Sequence, residues 1–236
     1  MKKVLTSAIL LAITATAANA ASLNLRHEYV PESGDMKSAH KDRLLMDHRF
    51  ANGIGISAEV KWGYNSDGLD FDNMKSGGHE TKVSYNYKLT DTFTLQPAYA
   101  LDSNSTAITH KLDLKATQKL SDDWSVDLRY RYGYKNNAES SIDSHYNQLN
   151  LTSGYKMGDF KYGIDIEYKF EQSASSGYDG DNQYLSLVNL SAEYSGLESG
   201  WRPFGEFGMV AQNTDKNEAG KDSYEPRFRV GVKYSF

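Results

Sequence analysis

The chain has 236 residues, no cysteine and a formal net charge of −5. The absence of cysteine excludes a disulfide-stabilised scaffold and a lipid-anchored lipoprotein, and the net negative charge alone argues against an anionic partner. Its 17 tyrosines, 9 phenylalanines and 19 glycines, with few aliphatic runs, are unusual for the core of a soluble protein.

The first 20 residues have the three parts of a secretory signal peptide. Lys2 and Lys3 form a basic region, an apolar stretch runs from about residue 4 to 13, and Ala18-Asn19-Ala20 is a small-x-small cleavage site. The apolar stretch is too short for a membrane anchor, and nothing after residue 20 reaches the ~18 apolar residues of a membrane helix. We therefore expect export, a signal peptide at 1–20 and one mature domain at 21–236.

The mature sequence divides into twelve segments in which apolar and polar residues alternate, which is the period of a β-strand. The predicted strands are 22–30, 42–50, 54–64, 79–89, 93–102, 107–119, 124–135, 146–157, 160–171, 183–194, 201–211 and 225–236. Segment 183–194 is ambiguous because the alternation changes parity within LSLVNL, and a β-bulge would account for the change.

The connections between these segments alternate in length. The short ones are 51–53, 90–92, 120–123, 158–159 and 195–200, whereas the longer ones, rich in acidic residues, Gly, Ser and Asn, are 31–41, 65–78, 136–145, 172–182 and 212–224. Connection 103–106 is the exception, because it is short where the alternation predicts a longer loop. An even number of strands with this alternation is typical of an outer-membrane barrel. The sequence predicts an all-β fold, a transmembrane antiparallel β-barrel of 12 strands with short periplasmic turns and longer extracellular loops.

Aromatic residues recur on the apolar face near the ends of the segments, as in the two interfacial girdles of a membrane barrel. They are Trp62, Tyr64, Phe93, Trp124, Tyr134, Phe160, Phe170, Trp201 and Phe236. This pattern predicts outer-membrane lipid as a partner and disfavours a soluble carbohydrate-binding sandwich, whose aromatics would cluster on one sheet face. The ending RFRVGVKYSF, with Phe236 preceded at two-residue steps by apolar residues, resembles the signal read by the barrel-assembly machinery.

If the apolar face contacts lipid, the other face lines the lumen. Alternation then points all eight arginines inward: Arg26, Arg43, Arg49, Arg129, Arg131, Arg202, Arg227 and Arg229. Ten lysines share that parity: Lys61, Lys82, Lys88, Lys111, Lys115, Lys135, Lys156, Lys161, Lys169 and Lys233. We count 11 inward acids against these 18 basic residues, so the lumen is basic and the loops are acidic. A basic lumen favours anions. The alternative is that the inward charges only pair with each other.

The basic residues fall into two tracks on facing walls, because the last strand of a closed barrel neighbours the first. The predicted substrate path consists of Arg26, Arg43, Arg49, Lys111, Lys115, Arg129, Arg131, Lys135, Arg202, Arg227, Arg229 and Lys233. A polyanionic chain would pass its carboxylates from one basic residue to the next.

Enzymatic readings have little support. Ser144, His145 and Asn147 suggest a barrel phospholipase, but neighbouring residues on a strand point to opposite faces. A barrel protease would use His79 with Glu80, or Asp179 with Asp181. A calcium site at 177–182 is a further alternative to a solvated loop. We predict no catalytic residue, cofactor, metal or nucleic-acid partner.

Three blocks of this sequence are familiar: HKDRLLMDHRFANGIGISAEVKW (40–62), RYRYGYK (129–135) and RFRVGVKYSF (227–236). They closely resemble the oligogalacturonate-specific porin family, small monomeric porins for acidic oligosaccharides that include the N-acetylneuraminic acid channel. The resemblance spans essentially the whole mature chain. It is weakest in the loops, especially 65–78 and 172–182.

The resemblance implies a monomeric twelve-stranded barrel in the outer membrane of a Gram-negative bacterium. It also implies two facing basic strips, which fall on Arg26, Arg43, Arg49, Arg129, Arg131, Lys135, Arg227 and Arg229. The expected function is diffusion of oligogalacturonates into the periplasm. Sialic acid, another uronate, or anions in general with weak selectivity are the alternative cargoes.

Overall fold

A computed structural model of the protein describes residues 21–32, 38–64, 73–138, 143–172, 182–213 and 222–236. The proposed signal peptide 1–20 lies outside them. The strands are β1 (Ala21–Val30), β2 (Ala39–Arg49), β3 (Ile54–Tyr64), β4 (Met74–Tyr85), β5 (Tyr87–Lys88), β6 (Phe93–Ser103), β7 (Ala107–Lys119), β8 (Trp124–Asn137), β9 (Ser144–Met157), β10 (Phe160–Glu171), β11 (Gln183–Tyr194), β12 (Trp201–Asn213) and β13 (Asp222–Ser235). Within the described ranges, no helix is long and apolar enough to cross a membrane.

Every strand pairs antiparallel with its neighbours, and the sheet closes on itself through β1–β13 and β4–β6. The short β5 continues β4 after Asn86 and pairs with β6, so β4 and β5 count as one barrel strand. The predicted fold is therefore confirmed as a closed antiparallel barrel of twelve strands. Closure pairs the backbone groups of every strand on both sides, which a membrane interior requires. At the seam, the Phe236 amide donates to the Ala21 carbonyl at 3.0 Å.

The observed strands match the predicted segments, with differences mainly at the loop ends. Strands β2, β4, β9 and β13 begin two to five residues before their predicted starts, because hairpin pairing continues past the last clearly alternating residue. In β1 and β2, for example, Val30 still pairs with Ala39. The predicted short connections all lie at the end of the barrel that holds both termini, the periplasmic end.

Two bulges interrupt the ladder. The predicted one in β11 is confirmed: Leu187 pairs with Glu167 and Leu185 with Tyr168, so Ser186 is the extra residue. This insertion produces the parity change within LSLVNL. A second bulge lies in β4, where Gly78 pairs with Lys61 and Ser76 with Trp62. It was not predicted, because Gly77 and Gly78 fell within a predicted loop.

The barrel has its polar residues inside and its apolar residues outside. Buried polar side chains include Asn24, Asp113, Asn150 and Asn189, whereas large apolar residues are widely exposed, with Val230 at 61%. Such an exposed surface is stable only against hydrocarbon. Trp201 packs on Tyr234 at the periplasmic rim, with ring centroids 4.8 Å apart, as an interfacial girdle requires.

We expect Gly78→Ala to destabilise the barrel by about 1–3 kcal/mol. Gly78 has a φ of 97°, and a Cβ added there would lie 2.5 Å from the Ser103 carbonyl oxygen. Gly158→Ala is the matched control, because Gly158 also has a positive φ (59°) but no heavy atom within 4 Å of the added Cβ. Urea unfolding from lipid vesicles compares the two, and equal losses of stability would contradict the steric argument.

Candidate functional site

The strand register places all eight arginines and the ten predicted lysines on the inner face. It also adds three lysines that the sequence analysis missed. In the strand register, Lys41 lies opposite Glu28 and Gly63, and Lys75 also lies opposite Gly63. Lys119 lies opposite Ser125, which is on the same face of β8 as Asp127. Lys41 and Lys75 lie in segments that the sequence predicts as loops, 31–41 and 65–78, although Lys41 has the same parity as Arg43.

The same register gives thirteen inward acids among the described residues. They are Glu28, Asp47, Glu59, Glu80, Asp102, Asp113, Asp127, Asp165, Glu167, Glu171, Glu193, Glu206 and Glu225. They stand against twenty-one inward basic residues, so the excess of basic charge in the lumen is eight. The sequence predicts an excess of seven basic residues, so the register changes the number by one and the lumen remains basic.

The first basic wall comprises Arg26, Arg43, Arg227 and Arg229 on β1, β2 and β13. Arg229 lies directly opposite Glu28 and Glu206, and its guanidinium contacts them at 2.6 and 3.1 Å. Arg43 pairs with Glu59 at 3.3 Å, and Arg227 lies 4.0 Å from Glu28. Much of the charge on this wall is therefore balanced locally.

Arg26 is the exception on the first basic wall. Its direct cross-strand partners are Arg43 and Gly231, neither of which has a carboxylate. Among the described residues its guanidinium makes no ion pair or hydrogen bond, and its Nε is a buried donor without a partner. Arg26 thus has no carboxylate at ion-pair distance among the described residues.

The second basic wall comprises Lys82, Lys111, Lys115, Arg129 and Arg131 on β4, β7 and β8. Arg131 holds Asp113 in a bidentate pair at 2.6 and 2.8 Å. Lys82 approaches the same carboxylate at 3.6 Å. Lys111 contacts Glu80 and Asp102, both at 2.7 Å. Here too most cations have acidic partners.

Arg129 is the exception on the second basic wall. In register it lies between Lys115 and Asn150. It donates to the Asn150 Oδ1 at 2.8 Å, and it has no carboxylate within ion-pair distance in the described part of the chain. Arg129 is therefore the counterpart of Arg26: each is the arginine of its wall that has no carboxylate partner among the described residues.

The ring of strands puts Arg26 and Arg129 on opposite sides of the lumen. Strands β1 and β8 are six strands apart in both directions around the barrel. Each arginine lies five residues after the first residue of its strand, and both strands begin at the periplasmic rim. The two guanidiniums without carboxylate partners therefore face each other at a similar depth.

The other predicted path residues lie nearer the ends of the lumen. Arg49 shares β2 with Arg43, but its guanidinium turns to β3 and β4, donating to the Gly53 carbonyl at 2.8 Å and to Ser84 Oγ at 3.0 Å. Arg202 and Lys233 both pair with Glu193 near the periplasmic rim. Lys135 lies at the extracellular end of β8. The predicted path thus spans the whole lumen.

The rejected catalytic groupings do not assemble. Ser144 pairs with Lys135 on the inner face, whereas His145 lies outside beside Tyr132, with ring centroids 5.9 Å apart. Asn147 is also outside, where it accepts a hydrogen bond from the Tyr130 hydroxyl at 2.6 Å. No metal-binding group of His, Asp or Glu occurs within the described ranges. Asp179, Asp181 and most of the calcium candidate 177–182 lie outside them.

Comparison with known proteins agrees with this geometry. The model of the oligogalacturonate-specific porin (KdgM) family matches residues 14–236. The oligogalacturonate-specific porin KdgM of Dickeya dadantii (strain 3937) is 32% identical over 243 residues, which cover 99% of both chains. An uncharacterised protein, YiiY of Salmonella typhimurium, is 32% identical over 231 residues, covering 97% of this chain and 96% of its own.

Solved structures include the KdgM porin in complex with disordered oligogalacturonate, with a TM-score of 0.62 and 30% identity over 91% of this chain and 99% of that chain. The NanC porin has a TM-score of 0.72 at 18% identity, over 91% of this chain and all of its own, which supports the fold alone. With a basic lumen inside a lipid-facing barrel, these matches show that the chain belongs to the oligogalacturonate-specific porin (KdgM) family and is a porin of the Gram-negative outer membrane.

Proposed function

We propose that this porin is a passive channel for acidic oligosaccharides, with oligogalacturonates as its main cargo, and that it has no catalytic activity. The observation that carries the proposal is the opposed pair Arg26 and Arg129, whose guanidiniums have no carboxylate partner among the described residues. An unpaired guanidinium in a narrow, partly desolvated lumen attracts anions more strongly than one already neutralised by a glutamate.

The surrounding charges support passage rather than tight capture. Arg227 and Arg229, like Arg129 and Arg131, are two residues apart on one strand, about 7 Å along its axis. If a sugar chain has a carboxylate on each ring, one carboxylate can contact the next guanidinium before another has left the first. Conduction needs several weak sites of this kind, and the acids paired with Arg43, Arg131 and Arg229 keep each site weak.

Uncharged polar groups line the wall between the two basic walls. Thr152 and Ser191 face the lumen on β9 and β11, beside the buried amides of Gln148, Asn150 and Asn189, which already hydrogen-bond to neighbouring side chains. Hydroxyls such as those of Thr152 and Ser191 exchange hydrogen bonds with sugar hydroxyls. The substrate named for the KdgM relative from Dickeya dadantii, oligogalacturonate, combines these hydroxyls with carboxylates.

The predicted path residues and the predicted assembly partners belong to this proposal. The path comprises Arg26, Arg43, Arg49, Lys111, Lys115, Arg129, Arg131, Lys135, Arg202, Arg227, Arg229 and Lys233. We infer that one chain forms the whole channel, because the ring of strands closes within it. Phe236 at the seam is the proposed contact for the assembly machinery.

The direct test is uptake into proteoliposomes. We expect trigalacturonate to enter several times faster than the uncharged maltotriose, because the basic lumen concentrates the acidic sugar. Osmotic swelling rates measure both sugars in the same preparation, with protein-free vesicles as the background. Equal rates for the two trisaccharides would refute the proposed selectivity.

The Arg26→Gln/Arg129→Gln variant should lower the anion-to-cation permeability ratio roughly fivefold, equivalent to ~1 kcal/mol. Planar-bilayer reversal potentials in a salt gradient measure this ratio. Lys88→Gln/Lys156→Gln is matched in charge but changes two lysines near the periplasmic rim, so we expect a smaller effect. An equal loss in both variants would mean that only the total charge matters.

Arg131 should behave differently, because it neutralises a buried carboxylate. The Asp113 side chain is 2% exposed, so Arg131→Gln leaves that carboxylate with Lys82 as its one ion-pair contact among the described residues and should cost about 3 kcal/mol of stability. Arg131→Gln/Asp113→Asn should recover most of the loss, since both charges are removed. Unfolding from lipid vesicles measures the two variants, and an additive second loss would contradict this structural role.

A further inference from the structure

A recess of about 220 Å³ opens into the periplasmic third of the lumen, away from the arginine pair. Its floor is formed by Gly154 and Gly163, which face each other on β9 and β10. The missing side chain of Gly154 leaves the space, because the heavy atoms nearest to an added Cβ are Lys161 Cε at 3.4 Å, Ser125 Oγ at 3.9 Å and a backbone oxygen at 4.0 Å. At Gly163 the neighbouring Ser191 Oγ already lies 2.5 Å from the position of an added Cβ. The volume is below the ~300–1,000 Å³ of typical ligand pockets, so it suits one sugar ring.

Two groups of opposite sign at this recess keep unused binding capacity among the described residues. Lys161 lies across Gly154 and makes no ion pair or hydrogen bond there. Asp127 forms an ion pair with Lys115 through Oδ2 at 3.6 Å, but its Oδ1 is buried and has no hydrogen-bond partner among the described residues. One group can bind a carboxylate and the other can accept hydrogen bonds from hydroxyls.

The remaining lining is already satisfied or neutral. Glu193 pairs with Arg202 and Lys233, and Glu206 pairs with Arg229. Phe204 forms an apolar end of the recess, because its ring lies over Gly231, where an added Cβ would be 2.4 Å from Phe204 Cζ.

We propose that this recess is an exit subsite that binds one pyranose ring carrying a carboxylate, with the carboxylate at Lys161 and ring hydroxyls at Asp127. This subsite rests on the proposed function and adds selectivity to it, because the recess distinguishes sugar acids from other anions. The arginine pair attracts any anion. A chloride ion or a polycarboxylate without hydroxyl groups offers no hydroxyl to Asp127, so it gains little from the recess.

The test uses current block in single channels, with trigalacturonate and N-acetylated, C-amidated triglutamate as probes of equal charge. Gly154→Leu fills the recess without changing charge. We expect it to weaken trigalacturonate binding about tenfold and leave triglutamate binding unchanged, whereas a general obstruction would weaken both. Gly205→Leu is the control, because Gly205 pairs with the outward-facing Val230 and the same side chain would contact lipid.

Asp127→Leu gives a second test, because the subsite and simple electrostatics predict opposite changes in trigalacturonate binding. Removing the carboxylate makes the lumen more positive, so charge alone would tighten the binding of both probes. The subsite predicts several-fold weaker trigalacturonate binding together with unchanged or tighter triglutamate binding. Tighter binding of both probes, or equal trigalacturonate binding by Gly154→Leu and Gly205→Leu, would overturn the subsite while leaving the channel function intact. A wild-type channel that trigalacturonate neither blocks nor crosses would refute both.

Discussion

The exclusion of charge from hydrocarbon is the constraint on which the rest of this structure depends. An arginine or lysine on the lipid face costs ~2–4 kcal/mol at mid-membrane, so alternation along each strand sends the basic residues into the lumen. Among the strand acids whose side chains the structure describes, all follow the same parity except Asp42, which lies outside and contacts His27 at 2.7 Å. The lumen therefore becomes a crowded electrostatic environment, and its function depends on which charges neutralise each other there.

Cross-strand register sets much of that neutralisation, and diagonal contacts such as Arg43–Glu59 supply the rest. Arg229 has a glutamate directly opposite on each side, and Arg131 has Asp113. Arg26 and Arg129 have only arginine, lysine, glycine or asparagine opposite them. Directly opposed side chains are close enough to pair. The same residue type thus occurs in two states: paired arginines stabilise the wall, and the unpaired arginines are those to which the proposed function assigns the attraction of cargo.

The sequence was informative wherever the signal is local. Alternation has a period of two within a single segment, so the twelve strands, the inward arginines and the bulge in 183–194 followed from it. The bulge at Gly77 did not, because no alternation surrounds it. Neutralisation could not be predicted either, since Arg26 and Arg131 look alike along the chain and differ only in residues on neighbouring strands. The recess is equally non-local, because it requires Gly154 and Gly163 to face each other.

Free and paired arginines also reconcile selectivity with release. A lumen in which all twenty-one basic residues lacked acidic partners would hold a polyanion too strongly to conduct it. If every basic residue were paired, the lumen would attract an anion no more than bulk water does. The thirteen inward acids reduce the excess to eight charges, and the register leaves unpaired arginines in the middle of the lumen, away from its mouths. Under the proposed function, an acidic sugar meets the unpaired arginines after it has entered. Ion-paired residues such as Arg202 and Lys233, together with the recess at Lys161, lie beyond them towards the periplasm. Such a graded sequence of contacts lets a channel select its cargo without retaining it.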